Sequence, residues 1–236
     1  IMLFTLNDWL ALAGYYVMWI GYDQFAERWS VNHPSLLRQV NHYRREWMLR
    51  LTQRDVRIQD VALMANLSSS PTFFASTTIL IIGGLLAMLG RTSQAVAVAS
   101  KIPFSATASE SAWEVKIILL VGVFVFAFFR FTWALRQFNF CAIIVGAAPL
   151  ASNLQGDDDF VRINFADRAG KLVALAGESF NDGLRAYYFA IAALTWFVHP
   201  LAFMVSTALV VLILYHREFK STVLRTLSGI EKRPVV

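Results

Sequence analysis

From Val61 to Gly90 the chain carries no charged residue, and this stretch limits the available folds more than any other feature. Wound as a helix at about 1.5 Å per residue, it reaches further than the roughly 30 Å of a bilayer's hydrocarbon core. A soluble protein could hide such a segment only inside a large core. Composition argues against that: 57% of the 236 residues are hydrophobic and only 16% are charged, too few polar groups to coat a water-facing surface. Nineteen Phe, seven Trp and seven Tyr add apolar bulk and interfacial anchors. The expected fold is all-α, a polytopic membrane helical bundle. It forms one integral membrane domain over 1–236, with about four transmembrane helices and two cytoplasmic amphipathic helices.

Four stretches approach spanning length. The first covers about 8–23, with Trp9, Tyr15, Tyr16, Trp19 and Tyr22 as aromatic belts. With no basic leader and cleavage site ahead of it, this stretch is expected to be a retained helix. The second covers about 68–90, where Ser68 to Ser70 ahead of Pro71 suit a helix start. Its small residues Ala75, Gly83, Gly84 and Ala87 would admit a close neighbour. The third, about 114–136, is expected to continue as one long helix, because Gly146 and Pro149 are the first breakers beyond it. The fourth, about 186–215, holds His199-Pro200, and Pro200 should kink it.

Two intervening segments read as amphipathic helices, over about 35–66 and 167–185. In the first, Leu36, Val40, Tyr43, Trp47, Leu51, Ile58, Val61 and Ala65 recur at mostly three- and four-residue spacings, and Arg38, Arg45 and Arg54 lie off that stripe. It should lie on the headgroups or dock on the spans, with Trp47 buried. The second follows Asp157, Asp158 and Asp159, which read as a solvated acidic turn. Counting basic residues places both long loops in the cytoplasm and, with four spans, both termini outside.

The side chains offer little catalytic chemistry. Cys141 is the only cysteine, which excludes a disulfide framework and a thiolate metal site. The histidines, His33, His42, His199 and His216, do not pair at helical ligand spacing. Nucleophile elbows and phosphate-gripping glycine loops are absent too. The chain is therefore expected to be no enzyme and to need no cofactor or metal. Its net charge of +5 points to anionic headgroups and not to nucleic acid.

The costly residues are more telling. Arg130 stands among Phe128, Phe129 and Phe131, where an arginine costs roughly 2–4 kcal/mol even on lenient insertion scales. With Arg57, Asp60, Arg136, Asn139 and Arg185 it forms a candidate anion-attracting or ion-pair cluster, and Asp60 or Asp182 could serve as the paired carboxylate. Snorkelling to headgroups is the plain alternative. His199 and Pro200 are a candidate gate, and Ser76, Thr77, Thr78 and Thr195 would offer hydroxyls within the bilayer. Rings of arginine can select anions. A homo-oligomeric channel or transporter-like protein for a small anionic solute is thus the first functional expectation, and a non-catalytic subunit of a larger membrane complex is its rival. The expected partners are membrane lipids and either copies of this chain or a larger assembly.

Five segments, in order, carry a resemblance: Arg45-Glu-Trp-Met, Asp55-Val-Arg-Ile, Phe73-Phe-Ala-Ser-Thr-Thr, Phe131-Thr-Trp-Ala-Leu-Arg-Gln-Phe-Asn-Phe and Phe180-Asn-Asp-Gly-Leu-Arg-Ala-Tyr-Tyr-Phe. Over nearly its whole length the chain resembles domain-of-unknown-function family 599, membrane proteins of bacteria and plants. The resemblance implies a multi-pass protein, here expected in a bacterial inner membrane, and supplies no catalytic residues.

Overall fold

The computed structural model describes residues 4–99, 109–150 and 159–229. Among these residues there is no strand. Helix α1 (Leu6–Asn32) starts at a capping box: the Thr5 hydroxyl accepts from the Asp8 amide, and the Asp8 carboxylate accepts from the Thr5 amide. The chain continues through α2 (Leu36–Leu51), α3 (Ile58–Leu89), α4 (Thr92–Ala99), α5 (Glu110–Gly146) and α6 (Asp159–Leu194). A single 3-10 turn at Thr195–Phe197 leads to α7 (Pro200–Phe219) and α8 (Thr222–Leu227). Three segments, Ile58–Leu89, Glu110–Gly146 and Pro200–Leu227, are long and apolar enough to cross a membrane, which marks a membrane protein.

Helix α6 is the spine. It runs antiparallel to α5, with Trp196 just beyond its end beside Lys116, Gly183 against Phe131 and Ser179 against Gln137. A Cβ added at Gly170 would come within 2.8 Å of the Arg45 Cα, and one added at Gly183 would strike the Phe131 ring. Glycine at these positions sets how closely α2 and α5 approach the spine. Helix α3 also runs antiparallel to α5, with Phe74 stacked on Phe131 and Arg57 reaching Ala148. Helices α1 and α7 run side by side in the same direction, Tyr15 meeting Phe203 and Phe25 meeting Phe219.

Two separate cores result. One, at the level of the spans, packs Tyr15, Phe124, Phe131, Phe189, Trp196 and Phe203 against alanines such as Ala127, Ala186 and Ala190. The other, the distal core, packs Met48, Leu51, Met64, Phe138, Cys141, Val145 and Val173 between α2, the start of α3, the end of α5 and the first half of α6.

Several boundaries differ from the sequence reading. The 35–66 segment is two helices: α2 stops at Thr52, whose hydroxyl bonds the Leu49 carbonyl, and the rest opens α3. The apolar stripe keeps its phase across the break, so periodicity does not reveal it. Ser68 to Ser70 start no helix, since Ser68 bonds the Met64 carbonyl and Pro71 lies inside α3. Nothing lies within 4 Å of a Cβ added at Gly83 or Gly84, so the close contacts of the bundle sit on α6 instead. The third stretch is one long helix, as expected.

The 167–185 segment is part of a helix that continues to Leu194, and 186–215 is not one kinked span. The chain turns back at 195–199, so that Ser206 of α7 bonds the Ala192 carbonyl of α6. This added reversal puts the start of α1 at the Trp196 end and α8 beside α2, where Tyr43 donates to the Leu227 carbonyl. The described ends of the chain therefore lie at opposite ends of the bundle, not at the same one. Asp157 and Asp158 lie outside the described residues, and Asp159 opens α6.

Candidate functional site

Between the two cores, charged residues from three helices meet. Arg130 of α5 pairs with Asp182 of α6. Asp182 also faces Arg185, nearly one turn further on, at 3.6 Å, and Arg185 donates to Asp23 of α1 at 3.1 Å. The chain Arg130, Asp182, Arg185, Asp23 alternates in sign and sums to zero charge. Alternation of this kind is what makes ionised groups tolerable in a helical bundle, where an unpaired charge is costly. The Arg185 guanidinium also lies 5.6 Å from the Tyr22 ring centre. Arg130 keeps one buried donor, Nε, without a hydrogen bond.

Toward the distal core, Asn41 of α2 donates to Glu178 at 3.0 Å and accepts from Arg44 at 2.7 Å. Burial pushes the Arg44 guanidinium below its ordinary value, and the Glu178 carboxylate opposes that shift. Gln137 and Ser179 bond at 2.8 Å. These contacts tie α2 and α5 to the spine directly beside the charged network.

Of the cluster expected from sequence, the fold brings together only Arg130 and Arg185, through Asp182. Arg57 donates to the Ala148 carbonyl at 2.8 Å and the Pro149 carbonyl at 2.5 Å, which satisfies backbone acceptors just past the end of α5. Asp60, 2% exposed, accepts from Trp47 Nε1 at 2.8 Å and from Arg54 at 3.2 Å. Arg136 and Asn139 are exposed on the outer side of α5. Six residues carry Arg136 about 240° round the helix from Arg130, and its guanidinium stands 5.7 Å from the Phe140 ring centre.

His199 is the N-cap of α7: its Nδ1 accepts from the Leu201 amide at 3.1 Å. Pro200 occupies the first turn, where its missing N–H costs nothing. The hydroxyls of Thr77, Thr78 and Thr195 bond carbonyls of their own helical turns. Thr78 also meets Tyr187 at 2.8 Å, and Thr195 meets Ser206 at 2.7 Å.

Sequence reasoning missed a second polar cluster. Lys116, 3% exposed, donates to the Trp196 carbonyl at 2.9 Å, and Asp8 accepts from Trp196 Nε1 at 2.8 Å. Both charges border uncharged stretches, Trp9 to Tyr22 and Ile117 to Phe129, and so read as the outer ends of spans. Each helix instead starts further out, at Leu6 and Glu110, and carries its charge inside. Asp23 was missed in the same way, as the boundary of a short span. Among the described residues no group of three His, Cys, Asp or Glu side chains could hold a metal ion.

A comparison with curated proteins finds no match, and neither does one with solved structures. A family model does match, that of DUF599, described as a protein of unknown function, over residues 10–223. The match takes in all four residues of the charged network, and the chain belongs to the DUF599 family.

Proposed function

We propose that the chain is a transporter-like membrane protein that works as a homo-oligomer and handles a small anionic solute at the Arg130–Asp182–Arg185–Asp23 network. The observation that supports this is the exchangeable pairing of Arg130. Its charge is neutralised by Asp182 of the neighbouring helix, while its buried Nε has no hydrogen bond. A carboxylate or phosphate oxygen offered to this guanidinium would compete with Asp182, and binding would loosen α5 from α6. Ionisable groups inside a membrane bundle commonly mark solute paths.

In this reading α1, α3, α5, α6 and α7 all cross a bacterial inner membrane, so the count becomes five; α1 turns Leu10, Val17 and Ile20 outward to lipid, while the second half of α6 is largely covered by its neighbours. The α2 end faces the cytoplasm. It gathers Arg38, Arg44, Arg45, Arg50, Arg54, Arg57, Arg168, Lys171, Arg217, Lys220 and Arg225, against Arg91 and Lys116 among the described residues of the opposite end.

Anion flux from proteoliposomes tests the proposal. Wild-type protein should pass a small anion, Arg130→Gln should abolish the flux, and Arg136→Ala should change it little. A well-folded wild type that passes no anion would overturn the reading.

The rival, an accessory subunit of a larger complex, draws on a different observation. Phe160 and Val161 are exposed and, with Ile144 and Phe165, line an apolar hollow at Pro149 beside the distal core, and exposed apolar clusters of this kind commonly mark interfaces. Native mass in lipid discs separates the two: copies of this chain alone favour transport, and a stoichiometric partner favours the subunit.

A further inference from the structure

Helices α1 and α5 diverge on the outer side of the bundle and leave a groove of about 710 Å³ between them. Its walls are apolar: Leu12 and Ile20 from α1, Val115, Leu119 and Phe126 from α5, with Trp196 at one end. The groove runs from Leu12 to Gln24 along α1, about 18 Å at 1.5 Å per residue. That length is close to one leaflet, about half of the roughly 30 Å hydrocarbon core.

The groove does not end in apolar surface. Gln24 also lines a second hollow of about 380 Å³, formed with Phe25, Arg28, Asn32 and His33. Residues 12, 16, 20, 24, 28 and 32 follow one another at four-residue steps, so a single ridge of α1 borders both spaces. Along that ridge the chemistry changes from apolar side chains to two amides and a guanidinium. Arg28 is exposed and pairs with no described carboxylate, whereas Asp23 within the groove is already neutralised by Arg185.

We infer that this composite groove holds one phospholipid with an anionic headgroup, drawn from the leaflet on the α2 side. One tail lies between α1 and α5, and the phosphate sits at Arg28 with Gln24 and Asn32. The chemistry at the two ends selects the occupant: a hydrocarbon chain of one-leaflet length has no partner for Arg28 unless it carries an anion at that end. The inference does not rest on transport, since it concerns a bound lipid and not a moving solute, but it does rest on the reading that α1 crosses the membrane.

The test uses full-length protein equilibrated in vesicles of phosphatidylglycerol and phosphatidylethanolamine in equal amounts, then extracted in mild detergent and weighed by native mass spectrometry. Wild type should keep one phospholipid per chain, enriched about fivefold in phosphatidylglycerol, the effect of one cation near an anionic headgroup. Gly122 borders the groove, and a Cβ added there meets nothing within 4 Å. Gly122→Trp should therefore fill the groove and lower lipid retention about tenfold while the helical content stays at the wild-type level. Arg28→Ala should keep a lipid but bring the two headgroups to near parity.

A lipid-free wild type, or a folded Gly122→Trp that retains lipid as well as wild type, overturns the inference. If Gly122→Trp does not fold, phosphatidylglycerol with a photoreactive tail decides on the wild-type chain. Adducts on residues 12–24 and 115–126 support the site. Adducts only elsewhere, or crosslinks joining these residues to a second copy, refute it.

Discussion

The two cores share helices α3, α5 and α6, but one adds α1 and α7 and the other adds α2, and they are packed from different kinds of residue. At the level of the spans, large rings interlock: Trp19 stacks on Phe189 at 5.0 Å, Trp196 on Phe203 at 5.2 Å and Phe74 on Phe131 at 5.3 Å. The distal core buries Met48, Leu51, Val145 and Val173 and holds no buried tyrosine or tryptophan. On the membrane placement proposed above, which sets the distal core at the cytoplasmic face, the surroundings explain the difference. Helices in lipid gain nothing from hiding apolar surface, so they associate through close fit and ring contacts, with small residues where backbones must approach. Outside the hydrocarbon, aliphatic burial itself drives assembly. On that placement the charged network lies where one regime gives way to the other.

The largest expected effect tests that seam. Asp182→Ala removes the carboxylate shared by Arg130 and Arg185 and should destabilise the protein by about 3–5 kcal/mol: the groups are only partly buried, but the change leaves two arginines short of a partner in a bundle where an unpaired charge is costly. Unfolding in bicelles measures it, and a loss under about 1 kcal/mol would mean that the network is solvated.

The cores themselves are compared by two substitutions of equal chemistry. Leu51 in the distal core and Leu120 among the spans are both almost fully buried. Leu51→Ala should cost about 2–5 kcal/mol. Leu120→Ala should cost about 1–2 kcal/mol less, because its unfolded reference stays in lipid and only the packing is lost. Equal losses would erase the distinction between the two regimes.

Trp47→Phe sharpens the account of the distal core. It keeps the ring but takes the Nε1 donor from buried Asp60, and should cost about 1–3 kcal/mol. If the chemical denaturation midpoint does not move, Arg54 alone satisfies the carboxylate. The smallest effect belongs to the surface pair of Arg45 and Asp167, both about half exposed. Asp167→Ala should cost under about 1 kcal/mol, with a dependence on salt that Asp182→Ala lacks.

The helices themselves were legible because their signals are local: an uncharged run for α3, apolar continuity through Arg130 for α5, a periodic stripe for α2. Their ends were less so. No breaker marks the stop at Thr52, and Pro71 reads as a start although α3 carries it inside. Pro200 signals a bend in sequence, but whether the chain bends or reverses depends on what α7 packs against.

A membrane bundle of helices, the family, and the need of Arg130 for a partner can all be read along the chain, since hydrophobic run length and the cost of a charge in hydrocarbon do not depend on how the helices pack. The sequence also offered Asp182 as one of two carboxylates. The tertiary structure decided the rest. The reversal at 195–199 brings α7 alongside α1, and the antiparallel register of α5 on α6 selects Asp182 over Asp60. Packing of α1 along α7 sets Asp23 within reach of the Arg185 side chain, while the rotation of α5 leaves Arg136 and Asn139 outside. Those choices follow from how rings and glycines interlock between helices far apart in sequence, and no spacing along one helix encodes them.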